Sequence, residues 1–283
     1  MKIGFIDYYL DEFHANNYPR WILNTLAQNE TVEFYAWAEI DSPHGGRTTE
    51  QWCKDYGVTR LESIESVCEI CDDLFLLSPD DPQNHLPYAE RILPYQKPVF
   101  IDKTFAPDTE TAKRIIALAE KYQTPFFSSS SLRFAEEYFS LTHKAQSVIA
   151  HGSGWNFEVE LIHPIEICAG LIGNGATALM VSGNQNQLMA VLQYPDNRHS
   201  AIHYTHQCEN LDYSATVVWA GGQKHFIAKS DFFQLLMNHT MDFFRNPQNS
   251  PVSPEDILEG IRIRDGILKG LKHPNIWIKL EEA

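Results

Sequence analysis

Hydrophobic and polar positions in the first 128 residues follow two alternating rhythms. Short apolar runs bounded by turn residues recur at positions 2–7, 32–38, 73–77, 99–101 and 125–128, the mark of strands covered on both faces. Between them, apolar residues return at helical spacing. Positions 18–28 put Trp21, Ile22, Thr25 and Leu26 on one face. A helix opened by Asp108 and running to Tyr122 does the same with Ala112, Ile115, Ile116 and Ala119. Helices are also predicted at 49–56, closed by Gly57, at 63–71 and at 86–93. Strand alternating with helix predicts a parallel sheet with helices on both faces, a Rossmann-like domain over residues 1–128.

The second half is patterned differently. After a strand at 146–150 and a helix at 158–171 come strand-like runs at 176–182, 187–194, 200–206, 214–220 and 225–229. Their connections carry turn chemistry: Gly183-Asn184, Pro195-Asp196-Asn197 and Gly221-Gly222. This predicts an α+β domain over 129–252 with one large, mostly antiparallel open sheet. A helix at 231–244 and the loop 246–251 complete it. Ser253 and Pro254 open a last helix to Leu271, and 276–280 reads as a strand. The segment 253–283 is thus a closing helix and strand that pack back on the chain. The fold class is α/β: a Rossmann-like parallel sheet followed by the α+β domain.

Charge narrows the partners. Acidic residues number 37 against 22 basic, a net of -15, which argues against nucleic acid or an anionic membrane, since both need basic patches. The expected partner is a small molecule, and an anionic cofactor needs local donors to hold it. No apolar run reaches the length of a membrane span. The first residues begin directly as a strand with no secretory pattern. Five cysteines, an odd number, suit a reduced cytoplasmic protein rather than a disulfide framework. Cys68 and Cys71 have redox-motif spacing but read as helix packing.

Candidate chemistry begins at a strand end. Asp102 and Lys103 follow the apolar run Val99-Phe100-Ile101, and open α/β sheets bind ligands at strand carboxyl ends. A lysine there can be desolvated, and so hold or move a proton. Asp7, Asp11, Glu12 and His14 crowd the connection after the first strand. They are ligand types for a hard metal or a polar substrate, but their spacing matches no metal motif and no metal is assigned. His199, His203 and His206 share one predicted strand without a completing ligand and read as sheet surface.

Several blocks, in this order, resemble the glucose–fructose oxidoreductase / inositol dehydrogenase (Gfo/Idh/MocA) family. Residues 72–79 with His85 resemble its strand-Pro-His block. Lys97-Pro98-Val99-Phe100-Ile101-Asp102-Lys103-Thr104 resembles its Glu-Lys-Pro block. Leu132-Arg133-Phe134 resembles its passage into the second domain, and Ile162-His163-Pro164-Ile165-Glu166 its histidine block. The resemblance covers nearly the whole chain. It implies an oxidoreductase acting on a sugar, polyol or sugar acid, with NAD or NADP as cofactor. Lys103 and His163 are the implied catalytic pair, taking the hydroxyl proton as hydride leaves. Substrate contacts fall to Lys103, Arg133, His163 and His14. Cofactor contacts fall to Asp7, Asp41, Ser78, Pro79, His85 and Asp102. A homo-oligomer through the C-terminal sheet is implied as well.

The chain also departs from that pattern. Val159 stands where the family has an acid, which leaves Glu160 as the assisting carboxylate. Asp102 and Thr104 stand where it has Glu and Pro. The connection from Asp7 to Pro19 contains no glycine, although a dinucleotide fold needs a glycine-rich turn there. Carboxylates at a helix N-terminus compete with phosphate for the same donors. Two alternatives therefore stay open. One is a carbohydrate-binding or regulatory protein that has lost dinucleotide binding; the other is a non-redox acid/base enzyme using Lys103 and His163.

Overall fold

The computed structural model describes residues 1–139, 141, 145–208 and 211–280. The chain forms two compact units: Met1–Ser128 with Leu236–Val252, and Ser129–Leu235 with Ser253–Ala283. Residues 281–283 of the predicted closing segment lie outside the described residues.

In the first unit, strands β1 (Lys2–Asp7), β2 (Glu33–Ala38), β3 (Thr59–Arg60), β4 (Asp73–Leu76), β5 (Val99–Ile101) and β6 (Phe126–Phe127) alternate with helices. The helices are α1 (Phe13–Leu23), α2 (Thr49–Tyr56), α3 (Ile64–Ile70), α4 (His85–Ile92) and α5 (Thr109–Tyr122). The sheet order is β3-β2-β1-β4-β5-β6, and every pairing is parallel. Strand order reverses between β1 and β4, so the carboxyl ends of β1, β4 and β5 border a crevice.

In the second unit the strands are β7 (Ser147–Gly154), β8 (Ala178–Asn184), β9 (Gln187–Gln193), β10 (His199–His206), β11 (Ser214–Trp219), β12 (Gly222–Ile227) and β13 (Trp277–Lys279). They lie in the order β12-β11-β7-β10-β9-β8-β13. Among the described residues only the β7–β10 pairing of this sheet is parallel. The helices after residue 128 are α6 (Glu136–Phe139), α7 (Phe157–Glu160), α8 (Ile162–Ile172), α9 (Phe232–Arg245) and α10 (Pro254–Lys272). Helix α10 runs close to β8, where a Cβ added at Gly270 would lie 2.5 Å from Val181 Cγ2.

Most of α9 belongs to the first unit, although the sequence-based division gives it to the second. The reason is aromatic. Phe5, Phe75, Phe100 and Phe127 stand in register across β1, β4, β5 and β6. Consecutive ring centroids are 5.4, 5.6 and 5.1 Å apart. Phe244 packs on Phe75 at 5.2 Å and Phe243 on Phe127 at 5.1 Å. Each buried ring contributes roughly 1.5–3 kcal/mol, enough to tie the segment to this sheet. Helical periodicity predicts α9 but says nothing about which sheet it covers.

Two further elements differ from expectation. Helix α1 begins at Phe13 rather than Tyr18, with Pro19 inside it, because Glu12 caps it. The edge strand β3 offers no apolar run, since Thr59 and Arg60 are both exposed. Among the described residues no helix is long and apolar enough to cross a membrane.

Asp73 opens β4 and is 5% exposed. Burial, then the Asp72 charge, push its carboxyl up from 3.8 to about 7. The folded chain thus binds this proton more tightly than the unfolded one. The associated stability is fully present below pH 3.8 and is lost as pH rises through about 7. Asp73→Asn is therefore expected to raise unfolding free energy by on the order of 2–4 kcal/mol near pH 8 and by little near pH 4. Urea unfolding at both pH values checks this; equal increments would contradict it.

Candidate functional site

The carboxyl ends of β1, β4 and β5 gather a cluster of polar side chains. Asp102 follows β5 and is fully buried. Its Oδ1 accepts the Lys103 backbone N–H at 2.7 Å. Its Oδ2 lies 2.5 Å from His14 Nδ1, and the Tyr18 hydroxyl donates to the same carboxylate at 3.3–3.4 Å. Burial, reinforced by Asp102, holds the Tyr18 hydroxyl well above its ordinary pKa, so it stays a donor. Lys103 is 8% exposed, with Nζ 3.8 Å from Asp80, and the Lys103–Thr104 peptide bond is cis. An imidazole oriented by a carboxylate beside a half-paired ammonium is equipped to accept, hold and return a proton.

Asp7 ends β1 and is 1% exposed. Its Oδ1 accepts from the Tyr8 N–H at 2.7 Å and from Ser78 Oγ at 3.0 Å. Its Oδ2 is buried without a partner among the described residues. Burial is the main reason its carboxyl is raised well above the usual range. Pro79 follows Ser78, and both line a small cavity with Asp7, Tyr9, Glu12, Asp80 and Asp81.

Glu12 closes the connection between β1 and α1. Its carboxylate accepts the His14 N–H at 2.7 Å and the Ala15 N–H, so it is the N-cap of α1. Burial, then the Asp7 charge, raise its pKa well above the usual range. Asp11 fixes the other side of the loop, accepting the Arg47 N–H at 2.7 Å and facing Arg47 Nε at 3.3 Å. Asn16 accepts from Trp52 Nε1 at 2.9 Å.

Other sequence-predicted residues of this unit are engaged structurally. His85 is fully buried, its ring nitrogens against Phe105 O at 3.0 Å and Leu77 O at 2.5 Å. Burial lowers its pKa. Asp41 accepts the Thr49 N–H at 2.7 Å at the start of α2, a bond that depresses its pKa. Burial pushes the Cys68 and Cys71 thiols up to about 12, so neither is a ready nucleophile.

In the second unit, His163 lies in the first turn of α8. Its Nδ1 is 2.7 Å from Ser130 Oγ, and its ring meets Tyr213 edge-on at 5.6 Å. Glu160 turns back to accept the Asn156 N–H at 2.7 Å. Arg133 is buried between Glu166 at 3.1 Å and Asp256 at 2.7 Å. Burial raises the Glu166 pKa against the pull of Arg133. His203 on β10 lies 3.4 Å from His151 on β7. Among the described residues no group of three or more His, Cys, Asp or Glu side chains is arranged to hold a metal ion.

Sequence reading missed Tyr18 and Ser130 as partners. Tyr18 read as a helix start, and Ser130 carries no pattern of its own. The signal for Tyr18 was its position four residues after His14, one turn along a helix.

No known family's profile matches the chain, and none of the curated proteins matches it in sequence. Solved structures match it along its whole length. A probable dehydrogenase from Thermotoga maritima superposes with TM-score 0.81 at 14% identity, covering 100% of both chains. Myo-inositol 2-dehydrogenase from Lactobacillus plantarum gives 0.80 at 13%, covering 99% of each. Scyllo-inositol dehydrogenase from Lactobacillus casei, solved with NAD(H) and scyllo-inositol, gives 0.77 at 14%, covering 99% of this chain and 98% of that one. The chain has the Gfo/Idh/MocA fold.

That fold sets a test for the β1–α1 corner, where a Rossmann unit seats a dinucleotide diphosphate on the helix N-terminus. In the arrangement seen here the residues do not fit that group. Glu12 takes the α1 donors, residues 7–19 contain no glycine, and Asp7, Asp80 and Asp81 line the same cavity.

Proposed function

We propose that the chain is an oxidoreductase of the Gfo/Idh/MocA kind acting on a sugar, polyol or sugar acid, with NAD or NADP as redox partner. The observation behind this reading is Lys103: nearly buried at the carboxyl end of β5, beside Asp80, its backbone fixed by Asp102. Lys103 holds the reacting hydroxyl and takes its proton. His14, oriented by Asp102, serves the same substrate hydroxyls. His163, with Nδ1 on Ser130, is the second proton carrier. Glu160 and Arg133 act indirectly, since each is held by backbone or carboxylate partners. The resemblance to enzymes whose names state inositol substrates and bound NAD(H) supports the substrate class. The redox partner rests on the fold likeness alone.

The chain works in the cytoplasm in this reading, where its five free cysteines stay reduced. A second copy packs on the outer face of the second unit's sheet. An outward band there runs through Trp277, Met180, Val191, Ala201, Ile149 and Thr216. Ile149 is 39% and Trp277 44% exposed, an apolar surface that a monomer rarely leaves uncovered. Sedimentation equilibrium is expected to give a multiple of the 32.4 kDa chain mass; a single-chain mass at micromolar concentration would count against it.

Glu12 favours a second reading, in which the same residues bind or isomerise a carbohydrate without a dinucleotide. Calorimetric titration with NAD+, NADH, NADP+ and NADPH separates the two. Binding of at least one nucleotide supports the oxidoreductase reading, and no detectable heat from any of the four sinks it.

A further inference from the structure

We infer that Glu12 is an internal anion that competes with the dinucleotide diphosphate for the N-terminus of α1, so that nucleotide binding requires this carboxylate to be displaced or neutralised. The inference rests on the proposed function only for the choice of an anionic ligand.

Four observations carry it. Helix α1 has eleven residues, long enough for its terminal N–H groups to attract an anion. Those of His14 and Ala15 are satisfied by Glu12 itself. The β1–α1 connection has no glycine, so side chains occupy the approach that a diphosphate needs. Beside Glu12, Asp7 keeps a buried oxygen with no partner among the described residues, a group that repels a second anion.

The surroundings are acidic from each packed element. Asp7 faces Glu12 from β1, Tyr9 from the loop, and Asp80 and Asp81 from the connection after β4. His14 and Tyr18 belong to α1, and Asp102 acts from the end of β5. Of the cations on this side, Lys103 leans on Asp80 and Arg47 on Asp11. Burial first, with the neighbouring carboxylates adding to it, raises the pKa of both Glu12 and Asp7. A proton on Glu12 removes its charge and weakens its hold on the helix donors.

The test uses NAD+, whose bridging diphosphate keeps its charge across neutral and mildly acid solution. Binding is measured by calorimetry to the wild type, to Glu12→Gln and to Glu12→Ser. Gln keeps an acceptor but no charge. Ser keeps the helix cap with a shorter side chain that vacates the corner, so one variant is read if the other unfolds. The expected result is a gain in NAD+ affinity of about tenfold or more at neutral pH in either folded variant. Wild-type affinity is also expected to rise as the solution is acidified, and to rise less in the variants. Affinity equal to or weaker than wild type in the folded variants, including no detectable binding in any of them, overturns the inference. Tight wild-type binding that neither substitution improves would overturn it and leave the oxidoreductase reading standing. A gain seen only in the variants, with none in the wild type, would support it and sink that reading.

Discussion

Replacing Lys103 with alanine is expected to lower turnover of the sugar-class substrate by about 10²–10⁴-fold, the usual contribution of a positioned acid/base group. The expectation follows from where the residue sits. Asp102 is buried and held by His14, Tyr18 and the Lys103 N–H, so the strand end is fixed and the side chain carries little of the fold. Thermal unfolding is expected to move by only a degree or two, since the exposure of Asp80 leaves its 3.8 Å pair with Lys103 of modest worth. Lys103→Arg separates two roles. Arginine keeps the charge but cannot give up its proton, so it is expected to be nearly as impaired as alanine. Full turnover in Lys103→Arg would show that Lys103 serves only as a positive charge.

Replacing Arg133 with methionine is expected to destabilise the second unit by about 3–5 kcal/mol. The guanidinium is buried between Glu166 and Asp256, and Ser129 donates to the same Glu166 carboxylate at 3.4 Å. Methionine fills a similar volume yet leaves Glu166 buried without its cation. Burial already raises the Glu166 pKa, so without Arg133 the carboxyl takes up a proton more readily still. Its folded pKa then exceeds its unfolded value, and stability is lost as pH rises through the folded pKa. The cost of Arg133→Met is therefore expected to be larger near pH 8 than near pH 5, and a second substitution, Glu166→Gln, is expected to recover part of it at the higher pH. Urea unfolding at both pH values measures this. A cost below about 1 kcal/mol would mean that the ion pair is incidental.

The parts of this structure that were legible in the sequence are those governed by local pattern. The strand ending in Asp102-Lys103, the helix capped by Asp108 and the one closed by Gly57 all stand where periodicity and cap chemistry place them. The glycine-free connection from Asp7 to Pro19 holds the carboxylate that caps α1, Glu12. What local pattern could not reveal was partnership over distance. Nothing in the sequence says that His14 would meet Asp102, 88 positions away, or that Ser130 would take His163. Arg133 read as a substrate contact, and the structure engages it with Glu166. The start of α1 was misread because Pro19 resembles a first-turn residue, whereas the cap at Glu12 lies seven positions earlier. The home of α9 was hidden for a similar reason: Phe243 and Phe244 are apolar in any setting, and only the phenylalanine row on the first sheet makes them fit there.

The central claim, that the chain oxidises a sugar-like hydroxyl with Lys103 moving the proton, is tested most directly by one spectrophotometric assay. Inositols, aldoses, aldonic acids and sugar alcohols are each mixed with the protein and NAD+ or NADP+, and reduced nicotinamide is followed by its absorbance. The prediction is that at least one compound is oxidised by the wild type and not measurably by Lys103→Ala. Sugars that are converted equally well without nicotinamide, or nicotinamide reduction that survives intact in Lys103→Ala, would contradict it.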